Sequence, residues 1–495
     1  MHSDFCDDDI YFGKQFLLTS EPLTTPFDRW NVFGFAGRWL YAHPRLSFAS
    51  ARNGVTEILA LGTLLDPDKP DESDNAVVDN ITHEARNFGD LEDAIFRLGG
   101  RWVLMVTIGE SSRIYHDATG LKPVHFLQDG SGVLQVGSTP AILEEAGYTA
   151  RDDALCIDFE RYKNSGSWPV HVLPYPGVRQ LLPNHFLDLE DARIERFWPK
   201  SSLPNREVTD VADAMMAILR GTLRAAMHRQ PCILSLTGGY DSRLVLAAAL
   251  DQREALSFFT VIRDDSPSHD VSVPKRIAKF YGLPHHFFDA TPNSATLSTE
   301  VKILDRKLSR NVGGLFYDPI RHALGPFTEA TGNKLHVPGN ISEVHRCFYF
   351  PNASHPNELG AEDLARRAGF AGNPYSKQGF QKWLDEFPRQ TNVLPLDLLY
   401  WEHRTGVWGS TGWTYREAAS DRLPSMNSRA FLELGLCTSA SERQRPHRLT
   451  RALISRGDPE LLRFPFNTDW RESLVEWWSR YTPLPWRVKR RLGWV

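Results

Sequence analysis

The residue types and spacing that most directly indicate chemistry lie in one short stretch, Leu236-Thr237-Gly238-Gly239-Tyr240-Asp241-Ser242. Two glycines allow a tight turn whose backbone amides can approach an anion, and a helix that begins there adds the positive end of its dipole. The hydroxyls of Thr237 and Ser242 can donate hydrogen bonds, and Asp241 can hold the Mg²⁺ that accompanies a polyphosphate. The stretch therefore predicts a pyrophosphate-binding loop.

The alternative is an ordinary strand-to-helix turn that contains two glycines. Strand, glycines, aspartate, hydroxyls and helix nevertheless occur in the order that phosphate binding requires. The Gly-Lys-Ser/Thr ending of a Walker loop and the G-x-G-x-x-G turn of dinucleotide-binding proteins are both absent. We therefore expect a phosphate loop of another kind.

The elements that must position this loop are predicted from the hydrophobic pattern around it. A strand at 232–236 precedes it and a helix at 241–250 follows it, after a long amphipathic helix at 208–227. A strand at 256–262, a helix at 271–281 and a strand at 284–288 come next. This alternation predicts a parallel sheet with helices on both faces, and from about residue 358 the chain is predicted to be mostly helical.

The first 150 residues show a different pattern, with short strands predicted at 39–42, 57–61, 101–108, 112–116, 124–127 and 133–137, and helices at 90–98 and 140–146. This favours a layered sheet-and-helix domain over a βαβ array. A strand, turn and strand over 177–199 then lead to a polar linker at 200–205. We expect two domains, 1–200 and 201–495.

Composition narrows the classes of function. The chain has 495 residues, 41% of them hydrophobic and 24% charged, and a formal net charge of −5. These values fit a soluble globular protein and give no electrostatic sign of nucleic-acid binding. Five scattered cysteines without a C-x-x-C pair favour reduced thiols, and no signal peptide or bilayer-length apolar run is seen. We expect a cytoplasmic protein with no membrane partner.

The loop resembles the S-G-G-x-D-S pyrophosphate loop of ATP pyrophosphatases, and further stretches are similar to the asparagine synthetase superfamily. The similar stretches are Arg45-Leu46-Ser47, 116–124, 182–185 with Phe197-Trp198, 338–343 and 422–427. The resemblance implies an Ntn-hydrolase-like, glutaminase-type αββα domain joined to an adenine nucleotide α-hydrolase-like parallel-sheet domain with a helical C-terminal part.

The resemblance also implies roles for single residues toward ATP and Mg²⁺. Leu236 would line the adenosine pocket, and the backbone at Val261 would hold the adenine. Gly339 would approach the nucleotide. Glu343 would supply the second Mg²⁺-binding carboxylate beside Asp241.

Departures from the family pattern are equally informative. Glutamine hydrolysis in complete members needs a cysteine exposed by Met removal, but His2 stands there, and Cys6 is too far in to replace it. The family's glutamine-holding segment has no counterpart around 59–65. Asn340 replaces an acid and Ile341 a glycine. A late lysine of the family falls near Phe466, with three candidate substitutes: Arg463, Arg448 and His447.

An acyl-adenylate that is attacked by an amine needs a general base within hydrogen-bond reach. The candidate bases or orienting groups are Glu402 and Tyr400, with Arg404 as an anion clamp. The alternative is a helix face on which Glu402 and Arg404 are solvated or paired. Asp270, at a helix start, is explained equally by capping.

The leading hypothesis is an AMP-forming, amide-forming ligase without glutaminase activity, similar to β-lactam synthetases and lasso-peptide cyclases and acting in natural-product or peptide modification. Its substrate would be a small molecule or peptide with a carboxylate and an amine, and a homodimer is left open. One alternative is ammonia-dependent asparagine synthetase. Another is a non-catalytic nucleotide-binding family member.

Overall fold

The computed structural model describes the chain except residues 1–9, 24–26, 28, 131, 163–166, 263–268, 291–298, 317–326, 328–330, 353 and 467–495. It is a mixed α/β protein with two antiparallel sheets and one parallel sheet. Among the described residues, no helix is both long enough and apolar enough to cross a membrane.

The two antiparallel sheets have six strands each, in the orders β10-β8-β9-β1-β3-β2 and β12-β11-β7-β6-β5-β4. Their strands are β1 Phe16–Thr19, β2 Asn31–Phe35, β3 Arg38–Ala42, β4 Phe48–Asn53, β5 Thr56–Leu65, β6 Gly99–Ile108, β7 Ser111–His116, β8 His125–Gln128, β9 Leu134–Gly137, β10 Arg179–Gln180, β11 His185–Asp188 and β12 Ile194–Arg196.

A shared apolar cluster holds these two sheets face to face, since it takes side chains such as Leu18 and Phe126 from one sheet and Val103 and Met105 from the other. Helices Asp74–Glu84 and Phe88–Phe96 belong to this part of the chain, with Pro140–Glu145 and Asp153–Glu160. The first packs on β4 and β5, and Pro140–Glu145 packs on β9. The structure therefore has strands and helices in this part of the chain, while the Ntn-hydrolase-like αββα class stays a prediction. The strands β1, β2 and β4 and the helices Asp74–Glu84 and Asp153–Glu160 were not predicted.

The parallel sheet has the order β15-β14-β13-β16, formed by β13 Cys232–Ser235, β14 Ser257–Ile262, β15 His285–Asp289 and β16 Leu335–Val337. The helices between and before these strands are Val208–Arg229, Tyr240–Ala249, His269–Tyr281 and Thr299–Asn311, with a 3₁₀ turn at Leu250–Ala255. The predicted parallel sheet is confirmed. The chain leaves β13 toward β14 on one side and returns as β16 on the other, so the crevice between β13 and β16 is a topological switch point.

The rest of the described chain is helical, as predicted. Its helices are Ala361–Arg367, Pro374–Asp385, Pro395–Leu399, a π-helix at Tyr400–Gly409, Ser410–Glu417, Arg429–Leu436, Ala440–Arg443 and Arg448–Gly457, with 3₁₀ turns at Ser342–His345 and Pro459–Arg463.

Buried polar contacts join this helical part to the antiparallel sheets. The Asn427 side chain accepts from the hydroxyl of Thr119 at 2.7 Å and donates to Asp117 at 2.7 Å. Glu417 pairs with Lys122 at 3.1 Å and also with Arg101. The two parts of the chain therefore share a buried, charged interface, while the predicted boundary at residue 200 stays a prediction.

Candidate functional site

The glycine-rich loop lies at the carboxyl end of β13, where the sheet has its switch point. The strand ends at Ser235, and the helix Tyr240–Ala249 begins after Gly239, with no side chain capping its first turn. An uncapped helix N-terminus leaves backbone amides that can bind an anion. The fold therefore places the predicted loop where open α/β sheets bind ligands.

Side chains of the loop organise its backbone. The amide of Thr237 donates to the Ser242 hydroxyl oxygen at 2.9 Å, and the two hydroxyls lie 2.9 Å apart. The Gly239 amide donates to the Thr237 hydroxyl at 3.2 Å. The amide of Gly238 donates to Asp270 at 3.0 Å, so this aspartate of the neighbouring helix His269–Tyr281 contacts the loop.

The segment after β16 packs directly on the start of the loop helix. The Gly339 amide donates to the Ser235 hydroxyl at 3.0 Å. A Cβ atom on Gly339 would lie 2.4 Å from the backbone nitrogen of Ser242. Only glycine fits at this contact with the loop helix. The approach of Gly339 to a nucleotide, which the resemblance implies, stays a prediction.

Asp241 and Glu343 face each other across this contact, with Arg346 between them. An Nη2 atom of Arg346 lies 2.6 Å from Asp241 and 3.4 Å from Glu343. The Ser342 hydroxyl donates to the other oxygen of Asp241. The three charged side chains are between 13% and 22% exposed, so the cluster is mostly shielded from water.

The electrostatics of this cluster favour a cation. Burial raises the pKa of Asp241, Glu343 raises it further, and the Arg346 guanidinium lowers it only in part. The two carboxylates also raise the pKa of Arg346 against the effect of burial. Two carboxylates in a shielded site are stabilised by a positive charge placed between them.

These carboxylates suit Mg²⁺, because their oxygens are hard ligands and the chain already holds a cation between them. Among the described residues, no group of three or more His, Cys, Asp or Glu side chains could hold a metal ion. A metal here would therefore take its other ligands from phosphate or water, as Mg²⁺ commonly does.

Ile341 shows how the segment after β16 is held. Its φ is 88°, a left-handed conformation that a β-branched residue rarely adopts, and its side chain is buried. This is the position where the family pattern has glycine. The backbone at Ile341 has a glycine-like conformation and leads directly into the turn that carries Glu343.

The predicted adenosine-side residues lie beside the loop. Leu236 is buried, and its carbonyl accepts from the Thr260 hydroxyl at 2.6 Å. Pairing of β13 with β14 ends at Ser235↔Phe259, and β14 continues past it through Val261. Val261 therefore lies on a strand segment that extends beyond β13 near the loop.

Glu402 does not lie in this site, which corrects its prediction as a general base. Its carboxylate is fully buried and accepts hydrogen bonds from Arg196 at 2.5 Å and 3.0 Å, Asn184 at 3.1 Å and Trp383 at 2.9 Å. Burial opposes the charge, but Arg196 prevails and lowers the pKa of Glu402. Both carboxylate oxygens of Glu402 therefore accept hydrogen bonds that hold the helical part of the chain against the antiparallel sheets.

Tyr400 does belong near the loop. Burial raises its pKa well above the ordinary value, and the charges of Glu343 and Asp241 raise it further. A tyrosine with such a pKa keeps its proton at neutral pH, so it can donate a hydrogen bond but cannot act as a base. Arg404 is close enough to affect the same pKa, and its guanidinium stacks on Trp408 at 3.7 Å.

The cation of the site is Arg346, which sequence reasoning missed. Of the proposed substitutes for the late lysine, Arg463 and Arg448 are exposed and paired with Glu460 and Glu442. His447 is buried, which lowers its pKa to about 4 and keeps it neutral. Phe466 instead stacks on Tyr240 at 3.9 Å. The one available signal was the spacing of Arg346 three residues after Glu343.

The predicted absence of glutamine hydrolysis stays a prediction. His2 and Cys6 lie outside the described residues, and residues 59–65 form part of the buried strand β5.

A cavity of about 20 Å³, room for about one water molecule, lies between the antiparallel sheets and the π-helix. His125, Trp168 and Trp408 are among its lining residues.

No protein-family model and no curated protein matches this chain. Solved structures match parts of it, and three of them are described here. A glutamine-dependent NAD⁺ synthetase from Acinetobacter baumannii bound to ADP is 17% identical over 34% of this chain and 32% of that chain, with a TM-score of 0.20. A glutamine PRPP amidotransferase from B. subtilis with ADP and GMP is 14% identical over 54% and 56%, with a TM-score of 0.23.

An NMN synthetase from Francisella tularensis is 12% identical over 41% of this chain and 95% of that chain, with a TM-score of 0.21. This chain spans about a third of the first of these proteins and about half of the second. At such scores the matches carry no argument about this protein, and its function has to be inferred from its own site.

Proposed function

We propose that this protein is an ATP-dependent carbon–nitrogen ligase that activates a carboxylate as an acyl-adenylate, releases AMP and pyrophosphate, and does not hydrolyse glutamine. One observation carries the proposal. At the switch point of the parallel sheet, an uncapped glycine loop, a close-approaching Gly339 and the carboxylates of Asp241 and Glu343 converge. This combination suits a nucleotide with a metal ion.

In this proposal each part of the site has a separate task. The amides of 238–239 and of the helix N-terminus hold the pyrophosphate, and the hydroxyls of Thr237 and Ser242 orient it. Leu236 and the extended strand at Val261 receive the adenosine. Asp241 and Glu343 would hold Mg²⁺, and the ion would supply stabilisation of the negative charge on the phosphates.

The second half of the reaction joins an amine to the activated acid. Tyr400 keeps its proton at neutral pH, because the ordinary pKa of tyrosine is already 10.0 and burial raises the pKa of Tyr400 well above it. It therefore orients the acid by donating a hydrogen bond. Arg404 forms no ion pair with a described carboxylate, so its guanidinium is suited to the anionic substrate. The substrate is a small molecule or peptide that carries a carboxylate and an amine.

The direct test is exchange of labelled pyrophosphate into ATP in the presence of a panel of carboxylic acids. We expect at least one acid to support exchange and to yield AMP rather than ADP. Asp241→Ala should abolish the exchange, while Asp251→Ala, which changes an exposed carboxylate near the end of the same helical segment, should leave it intact. Formation of ADP and phosphate would contradict the proposal.

A second candidate is a nucleotide-binding protein without catalysis. The observation that favours it is that the chain's own groups already occupy the site, since Gly238 donates to Asp270 and both carboxylates pair with Arg346. ATP binding without exchange for any acid would support this candidate. Exchange that depends on Asp241 would exclude it.

A further inference from the structure

Arg346 occupies the place between the two carboxylates that a metal ion would need. Its guanidinium lies 2.6 Å from Asp241 and 3.4 Å from Glu343 and is 13% exposed. If both carboxylates held a divalent ion, that ion and the Arg346 guanidinium would repel each other at such short range. The shielded surroundings strengthen this repulsion. The metal and Arg346 therefore cannot share the pair of carboxylates.

The anion side of the same site is filled in a matching way. The Gly238 amide, which would face phosphate, donates to the Asp270 carboxylate at 3.0 Å. Without nucleotide, the chain thus supplies a carboxylate to the phosphate-binding amide and a guanidinium to the metal-binding carboxylates. Side chains of the protein therefore take the places of the negative phosphate and the positive metal ion.

Arg346 also has a destination when the nucleotide arrives. A guanidinium binds phosphate oxygens through planar, paired hydrogen bonds, and a triphosphate brings several negative charges into the site. The Nε atom of Arg346 is buried and has no hydrogen-bond partner among the described residues, so the guanidinium has unused donor capacity. Exchange of Arg346 from the carboxylates onto the nucleotide would free both carboxylates at the same moment.

We infer that Arg346 is a positioning residue that blocks divalent-metal binding to Asp241 and Glu343 until a nucleotide draws its guanidinium away. This inference rests on the proposed function, because it assumes that a nucleotide and its metal occupy the loop. It makes metal binding depend on nucleotide binding, so the two ligands bind cooperatively.

The test uses Mn²⁺ as a spectroscopic probe for the divalent ion, followed by electron paramagnetic resonance without nucleotide. We expect the wild-type protein to bind Mn²⁺ weakly and Arg346→Gln to bind it at least about tenfold more tightly, because the competing charge is gone. In the double variant with Asp241→Asn the gain should disappear. Arg448→Gln, which alters an exposed arginine, serves as the control.

Adding a non-cleavable ATP analogue with a methylene group between the α and β phosphates should bring Mn²⁺ binding of the wild type up to that of Arg346→Gln. Arg346→Lys keeps the charge and should retain the block, so a gain in Arg346→Gln that Arg346→Lys lacks assigns the effect to the charge of Arg346. Arg346→Met also removes the charge and takes the place of the glutamine variant if that variant folds poorly. Equal Mn²⁺ binding by wild type and both variants without nucleotide, whether tight or weak, would overturn the inference.

These outcomes separate the inference from the proposed function. Mn²⁺ that binds the wild type tightly without nucleotide, together with pyrophosphate exchange, would refute the role of Arg346 and leave the ligase intact. A wild type that binds no Mn²⁺ even with the ATP analogue would instead refute the metal–nucleotide site itself.

Discussion

At the scale of single residues, two carboxylates show how surroundings assign different roles to the same group. Glu402 is fully buried and each oxygen accepts two hydrogen bonds. Asp241 shares the Arg346 guanidinium with Glu343 and lies in the first turn of the helix that follows the glycine-rich loop. The first arrangement fixes a packed interface, whereas the second leaves a carboxylate that holds a metal ion in the proposed function.

Glu402→Gln should therefore change stability and leave chemistry intact. The change removes a buried counter-charge from Arg196, and breaking such a pair costs about 3–5 kcal/mol. We expect a lower thermal unfolding midpoint, with the pH profile of pyrophosphate exchange by the folded protein unchanged. Glu195→Gln, in an exposed pair with Arg193, is the matched control and should cost at most about 1 kcal/mol. An altered pH profile with an unchanged midpoint would restore Glu402 as a base.

At the scale of elements, the glycine-rich loop, the strand before it and the helix after it were predictable, because hydrophobic pattern and turn residues indicate the same structure there. Alternating strands and helices around 232–289 predicted the parallel sheet. The two glycines and Asp241 predicted a tight loop at the carboxyl end of the strand at 232–236. The strands β2 and β4 were missed because both are short and largely exposed, so no apolar alternation marks them. The π-helix was missed because hydrophobic periodicity does not distinguish its wider turn from an α-helix.

The position of Arg346 could not be predicted for a different reason. The guanidinium meets Asp241 only because β16 pairs with β13 in parallel, which brings the segment 339–346 onto a loop about 100 residues earlier in the chain. Sequence spacing placed Arg346 beside Glu343 but not beside Asp241. Likewise, the side chain of Glu402 takes its direction from Arg196, which lies on β12. Contacts between distant elements, not local propensity, determined both outcomes.

At the scale of the whole molecule, the antiparallel sheets and the helical part are joined by buried charge. Glu417 pairs with Lys122 and Arg101, both nearly inaccessible to water. Burial opposes the charge of Glu417, but the nearby Arg101 and Lys122 prevail and lower its pKa to about 2. The antiparallel sheets therefore support the helical part of the chain through these buried ion pairs.

Glu417→Gln should destabilise the protein by about 3–5 kcal/mol at pH 7, because two buried cations lose their counter-charge. The pKa of Glu417 is depressed on folding, so its contribution is present above the ordinary value near 4.5 and is lost as pH falls through about 2. The difference in unfolding midpoint between variant and wild type should shrink from pH 7 to pH 3. Glu460→Gln, in an exposed pair, is the control. A difference that does not depend on pH would contradict this account.

In the proposed function, ATP binds at the contact between the loop helix and Gly339, and calorimetric titration of ATP with Mg²⁺ measures this binding. Gly339→Ala would force a Cβ atom against the backbone of Ser242, whereas Gly34→Ala meets no atom within 4 Å. We expect wild type and Gly34→Ala to bind ATP equally, and Gly339→Ala and Asp241→Ala to bind at least about tenfold more weakly. Equal ATP binding by all four proteins, or none by the wild type, would contradict the claim.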